Sequence, residues 1–254
     1  ILCWNTNRLL CYRNLVTCDP IRHFILLNFK NLKKKIKNIN IMNCLELFSG
    51  TGSFGKVAKK LNYNVISLDL FLEADINQDI LKWDYKKYPP DTFNIIWASP
   101  PCTNYSRLKN SLLNRRMKNG IIYNKEIMES EMLESDKIVL KTLEIIDYFK
   151  PQLWFIENPQ GRLRHRNIMK NIPYYTLDYC MYSDWGYKKR TNIWTNNTQF
   201  VPLTCNKQCG NMNGNIHTNN LGNYGHSNVN NTKLPSTLEK YRIPEKLIYS
   251  LLNF

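Results

Sequence analysis

Residues 45–55, LELFSGTGSFG, pass from an apolar run through a glycine-rich turn into a segment compatible with a helix. Strand, turn and helix in that order place free backbone amides at the helix N-terminus, where glycines let a ligand come close. Alone the pattern has low specificity. It lacks the GKS or GKT ending of a phosphate-cradling loop.

Working outward, strand-like and helix-like segments alternate. NCLELF (43–48), NVISLDL (64–70), FNIIWASP (93–100) and PQLWFIENP (151–159) read as strands. SFGKVAKKLN (53–62) reads as a helix, as does EIMESEMLESDKIVLKTLEIIDYF (126–149), with Leu133, Leu140, Leu143 and Ile146 on or near its apolar face. YYTLDYCMYS (174–183) and RTNIWTN (190–196) read as a final strand pair, and YRIPEKLIYSLLNF (241–254) as a short amphipathic helix packing back on the sheet. The alternation predicts an α/β fold, a mainly parallel sheet with helices on both faces. Ligands of such sheets bind outside the carboxyl ends of the strands. Phe48 to Gly52, Asp69, Cys102 and Glu157 are expected there. Asp69 suits the hydroxyls of a ribose, and Asp79 with Ile80 suits one polar and one apolar contact to an adenine.

The chain has 254 residues and a formal net charge of +15. Residues 1–41 hold eight Lys and Arg against the single Asp19, and the remainder holds 27 basic against 19 acidic residues. A basic body of this size fits a polyanionic partner. Residues 1–41 begin at Ile1 and precede the first methionine, Met42. They are read as an extension contributing little to the fold. No apolar run reaches the length of a membrane span, and eight scattered cysteines argue against a disulfide scaffold. A soluble intracellular protein, monomeric and with no membrane partner, is expected.

SPPCTNYS (99–106) sets Cys102 directly behind two prolines, whose fixed φ angles stiffen the strand end. A thiolate is a strong nucleophile. Carbon 5 of cytosine is too electron-poor to take a methyl group directly, and addition of a nucleophile at carbon 6 activates it. The ring then needs an acid at nitrogen 3, and Glu157 in FIENP stands at another strand end.

These segments resemble the cytosine-5 DNA methyltransferase family. LELFSGTGSFG resembles its cofactor loop, SPPCTNYS its PPC catalytic loop, ENP (157–159) its ENV tripeptide and GYKKRTNIW (186–194) its GxPQxRxRxY segment. The likeness runs from about Asn43 to Asn196 in the family's order. It implies a Rossmann-like fold with a seven-stranded sheet and S-adenosylmethionine as methyl donor. The implied cofactor set is Phe48, Ser49, Gly50, Thr51, Gly52, Asp69, Asp79, Ile80 and Pro100. The implied catalytic set is Cys102 as nucleophile, Glu157 gripping the base, and Arg190 matching the family's first arginine. The family's Gln and second Arg fall on Lys188 and Asn192. The implied reaction is methyl transfer to carbon 5 of a flipped-out cytosine in DNA. A transfer-RNA cytosine methyltransferase and a catalytically weak DNA-binding remnant are the alternatives, and a cognate restriction nuclease is a candidate partner.

Residues 42–196 are thus the catalytic domain, 197–235 a shortened target-recognition region and 236–254 the C-terminal helix. Asn196, Asn197, Gln199, Lys207 and Gln208 are the candidate readers of base edges. In the stretch 203–228, Cys205, Cys209, His217 and His226 have spacings loosely compatible with a structural zinc site. Arg107, Lys109, Arg115, Arg116 and Lys118 after the cysteine, and Arg162, Arg164 and Arg166 after the glutamate, are expected to meet DNA phosphates.

Overall fold

The computed structural model describes residues 41–219 and 236–253. The N-terminal extension and His226 lie outside the described residues. Seven strands form one sheet: β1 (Asn43–Leu47), β2 (Asn64–Asp69), β3 (Ile76–Asn77), β4 (Ile95–Ala98), β5 (Leu153–Pro159), β6 (Tyr174–Asp178) and β7 (Arg190–Thr195). Their order is β3-β2-β1-β4-β5-β7-β6, and only β7 runs against its neighbours. This is a mainly parallel, Rossmann-like α/β sheet. From β1 the chain steps outward to β2 and β3, then returns to lay β4 on the other side of β1. Such a reversal leaves a crevice at the carboxyl ends of β1 and β4.

The central strands are near-continuous apolar runs because both faces are covered. Alternate residues serve opposite faces. Leu45, Leu47, Ile96, Ala98 and Ile156 pack beneath helix α2 (Lys125–Phe149). Cys44, Ile95, Trp97 and Phe155 pack with α1 (Ser53–Lys60) and, near the C-terminus, α4 (Glu245–Leu252). A short helix, α3 (Thr237–Tyr241), precedes α4 and carries a capping box between Ser236 and Glu239. Leu247, Ile248, Leu251 and Leu252 give α4 its buried stripe.

Helix α2 corrects one expectation. Leu133 and Leu140 are 52% and 49% exposed, and the buried face is Met132, Ser135, Asp136, Val139, Thr142, Ile145, Ile146 and Phe149. Three of those residues are polar, and each has a partner. Ser135 Oγ accepts from Asn104 at 2.8 Å, Asp136 binds Tyr105 and Arg166, and Thr142 Oγ1 donates to the Ile138 carbonyl at 2.9 Å. Leu133 and Leu140 each stand one residue, about 100° of helix rotation, from the buried Met132 and Val139, whereas Ile146 is buried as expected.

After β7 the chain forms a small hairpin, β8 (Met212–Asn213) and β9 (Ile216–His217), with Gly214 at φ +60° in its turn. Nothing in the reading of residues 197–235 as a shortened target-recognition region foretells this hairpin.

Candidate active site

The turn after β1 is built on left-handed backbone. Phe48, Gly50 and Gly52 have φ of +58°, +55° and +65°. A bulky residue in that region is strained by about 1–3 kcal/mol and persists only where its surroundings hold it. Here Ser49 N donates to the Leu68 carbonyl at 3.1 Å, Gly50 N to Asp69 Oδ2 at 2.9 Å and Gly52 N to the Ser49 carbonyl at 2.7 Å. The opposite oxygen of Asp69, Oδ1, accepts from the Phe71 and Leu72 amides, both at 2.9 Å. Asp69 therefore ties the glycine-rich turn to the end of β2 and uses three of a carboxylate's roughly four acceptor positions. The Ser49 hydroxyl is buried with no hydrogen-bond partner among the described residues.

Glu46, within β1, is a buried carboxyl not singled out from sequence. Its oxygens accept from the Phe54 and Gly55 amides at 3.1 and 3.0 Å, capping α1 from inside the sheet. Burial pushes its pKa up to about 7, opposed by those two amides. Gly55 admits the carboxylate, since a Cβ there would lie 2.6 Å from Glu46 Oε2.

Ile80, expected against an adenine, is a core residue, and the carboxylate of Asp79 accepts from the Leu81 amide at 3.0 Å. Beside the turn, Thr51, Ser53 and Lys56 face Trp185, Arg242 and Ile243 across an open cleft of about 600 Å³; Cys102 and Glu157 do not line it.

Cys102 follows β4 and Glu157 lies near the end of the neighbouring strand β5, the two strands being paired at Ala98 and Ile156. The two strand ends are laced together. Asn158 Nδ2 donates to the Pro100 carbonyl at 2.9 Å and Arg162 N to the Tyr105 carbonyl at 2.8 Å. Gly161 passes so close to Tyr105 that a Cβ would lie 2.6 Å from its carbonyl oxygen. Tyr105 Oη donates to Asp136 at 2.8 Å, and Arg166 grips the same carboxylate with contacts down to 2.6 Å.

Those bonds correct the phosphate expectation for three cations. Lys109 is paired with Glu131, Arg166 with Asp136 and Glu129, and Arg162 donates to Asn110 and, at 2.6 Å, to the Ser106 carbonyl. They brace the loop from inside. Arg107, Arg115, Arg116 and Lys118 are exposed.

The thiol of Cys102 is half-buried, and its pKa is raised by burial first and by the Glu157 carboxylate second; the Lys189 ammonium opposes both. Glu157 is buried and accepts from Tyr179 Oη at 2.9 Å on Oε1, with Lys189 Nζ 3.9 Å from the same oxygen. Lys189 also lies 4.8 Å from the centre of the Tyr179 ring and donates to the Lys240 carbonyl at 3.1 Å.

The chain is 35% identical over 219 residues to the probable DNA (cytosine-5)-methyltransferase of Frog virus 3 (isolate Goorha), covering 84% of this chain and 99% of that protein. The chain belongs to the DNA (cytosine-5)-methyltransferase family. No family model matches it. Among solved structures, a SAM-dependent methyltransferase from Agrobacterium tumefaciens is similar at 14% identity and a TM-score of 0.34, over 66% of this chain and 61% of that one. One from Archaeoglobus fulgidus is similar at 12% identity and a TM-score of 0.30, over 53% and 52%. These partial overlaps say nothing of substrate.

In this methyltransferase, Arg190 has a partner the sequence reading did not foresee. Its guanidinium binds the fully buried Asp178 in two bonds of 2.9 and 2.8 Å across the β6–β7 pair. Lys188 Nζ donates to the Cys205 carbonyl at 3.0 Å, and Asn192 is buried within β7, accepting from Thr176 at 2.9 Å. Lys189, between them and not singled out from sequence, is the cation that reaches Glu157. The candidate base readers Asn196 and Asn197 are also engaged: Asn196 accepts from Trp154 N at 3.0 Å, and Asn197, buried, donates to the Leu251 carbonyl at 3.1 Å. Cys205, Cys209 and His217 do converge, and the fourth residue among them is Cys180.

Proposed function

We propose that this methyltransferase transfers a methyl group from S-adenosylmethionine to carbon 5 of cytosine in DNA, with Cys102 as nucleophile and Glu157 as the group holding nitrogen 3. The observation that carries the reading is the convergence of a stiffened thiol and a buried carboxyl on neighbouring strand ends, beside a glycine-rich turn, in a chain of this family.

The donor fits the turn. Gly50 and Gly52 leave the backbone open to close approach, and the Ser49 hydroxyl offers a buried polar atom without a partner among the described residues. Asp69 retains one acceptor position for a ribose hydroxyl, and Phe48 presents an apolar edge for the adenine. Thr51 lines the cleft beside the turn, and Ile80, a core residue, acts through packing. S-adenosylmethionine, when bound, supplies an electrophilic methyl on a sulfonium.

The thiol of Cys102 first loses its proton to solvent; the thiolate Sγ then bonds to carbon 6, and the electron pair of the ring's 5,6 double bond moves toward carbon 5. Lys189 favours the thiolate by charge. Glu157 carries the matching proton at nitrogen 3. Because Tyr179 occupies Oε1, Oε2 is the oxygen left for the base. After carbon 5 takes the methyl, loss of its proton to a base and cleavage of the Sγ–C6 bond restore the aromatic ring and the thiolate. The reacting face of cytosine is covered in a stacked duplex, so the base is extruded first. Exposed Arg107, Arg115, Arg116 and Lys118 suit phosphates near the catalytic loop. One structural zinc ion belongs to this reading, and no step of methyl transfer runs through it.

The test is a duplex containing 5-fluorocytosine, incubated with protein and S-adenosylmethionine. Fluorine cannot leave as a proton does, so a covalent adduct is expected that maps to Cys102 and is absent in Cys102→Ser. Modified DNA without any trapped adduct would count against this nucleophile, and sequencing of methylated bases identifies the target.

A further inference from the structure

We propose that Cys180, Cys205, Cys209 and His217 bind one structural zinc ion that fastens the chain following β7 to the connection between β6 and β7. Their ligand atoms all lie within 4.8 Å of one another. Cys205 Sγ is 3.5 Å from Cys209 Sγ, and His217 Nε2 is 3.6 Å from the first and 3.3 Å from the second. Zinc with Zn–S near about 2.3 Å and Zn–N near about 2.05 Å has tetrahedral edges of about 3.8 Å between sulfurs and about 3.6 Å from sulfur to nitrogen. The three separations among Cys205, Cys209 and His217 agree with those edges to a few tenths of an ångström, and Cys180 Sγ lies within 4.8 Å of each of the three. They are far from a disulfide, which needs about 2.05 Å between sulfurs, and all three cysteines are free.

Thiols are weak hydrogen-bond donors and acceptors. Three of them, buried around one imidazole, gain little from one another and much from a shared cation. A set of four protein donors leaves no open coordination position, the mark of a structural centre rather than a catalytic one.

The surroundings support the ligands as second partners do in metal sites. Cys205 N donates to Asp178 Oδ2 at 2.8 Å, and Asn211 Nδ2 donates to the Cys180 carbonyl at 2.8 Å. Charge also balances. Zinc with three thiolates carries −1 and Asp178 another −1, and the cations of Lys188 and Arg190 both lie on Asp178. Asn and Gly dominate residues 205–219, which contribute almost nothing to either main core, so metal binding supplies the order that burial does not.

The full chain, purified under reducing conditions, is analysed for metal by mass spectrometry and titrated with zinc and cobalt(II). One zinc per chain is expected, with cobalt giving an intense tetrahedral spectrum and thiolate charge-transfer bands. Loss of an outer partner costs about 10–100-fold in metal affinity, so Cys180→Ser is expected to weaken zinc at least that much and reduce the thiolate bands. His226→Ala is expected to change neither. Absence of retained zinc and of a cobalt spectrum overturns the proposal. So does wild-type affinity in Cys180→Ser. Should that variant not fold, thiol alkylation of the wild type decides: chelation is expected to expose Cys180, Cys205 and Cys209 together, and unchanged labelling of Cys180 overturns its assignment.

Discussion

The phenol of Tyr179 donates to Glu157 Oε1 at 2.9 Å, from the turn after β6 to the end of β5. The backbone adds to this junction, because Tyr179 N donates to the Lys189 carbonyl at 3.0 Å. Phenol, carboxyl and ammonium are thereby held as one unit. A hydrogen bond to a charged group contributes about 1.5–3 kcal/mol. Tyr179→Phe keeps the ring and removes the bond, so single-turnover methyl transfer is expected to fall about 10–100-fold. Donor affinity, read by calorimetry, is expected to stay unchanged. An equal loss in donor binding would show a general distortion instead.

Burial and Glu157 hold the Cys102 thiol above its ordinary range, and Lys189 pulls it down. The thiolate fraction therefore grows as pH rises through and beyond neutrality, and the rate of adduct formation is expected to rise with it. Lys189→Gln removes the opposing charge, so its profile is expected to move to higher pH, with Lys189→Arg restoring part of the shift. Superimposable profiles for wild type and Lys189→Gln would remove the lysine from the site.

Glu46 gives a stability signature. Its folded-state pKa, about 7, lies above the ordinary carboxyl value of 4.5. The folded protein then binds the proton more tightly than the unfolded chain does. The resulting stabilisation is fully present below pH 4.5 and lost as pH rises through about 7. A shift of this size corresponds to about 3 kcal/mol. Denaturant melts from pH 5 to 8 are expected to show the decline in wild type and a flatter response in Glu46→Gln.

The Asp136 carboxylate joins Tyr105 of the loop after β4 to Arg166 of the segment after β5. Removing one partner of a buried pair leaves the other uncompensated and costs about 3–5 kcal/mol. Arg166 keeps Glu129, so Asp136→Ala is expected near the lower end, about 3 kcal/mol, in urea unfolding. Methyl transfer is expected to fall further than in the surface variant Lys137→Ala, whose partner Glu134 is exposed.

Local order was legible in the sequence. Runs such as IIWA in β4 and LWFI in β5 have no polar face, which marks strands covered on both sides. The glycines at 50 and 52 mark a turn that needs left-handed backbone. Cys102 behind two prolines and Glu157 at a strand end are likewise local signals. What each charged group pairs with was not local. Arg190 fits the family segment by position, yet the antiparallel register of β6 and β7 sets it opposite Asp178, and Lys189 reaches Glu157 instead. Lys109, Arg162 and Arg166 look like phosphate ligands in a basic run, yet folding brings Glu131, Asn110 and Asp136 to them. Cys180 joins Cys205, Cys209 and His217 only because the chain after β7 folds back over the end of β6. Periodicity and turn chemistry depend on neighbouring residues, so sequence alone determined the main strands, the glycine-rich turn and the positions of Cys102 and Glu157 near two strand ends. Charge pairing and metal-ligand geometry depend on groups far apart in the chain, so only the tertiary structure decided them.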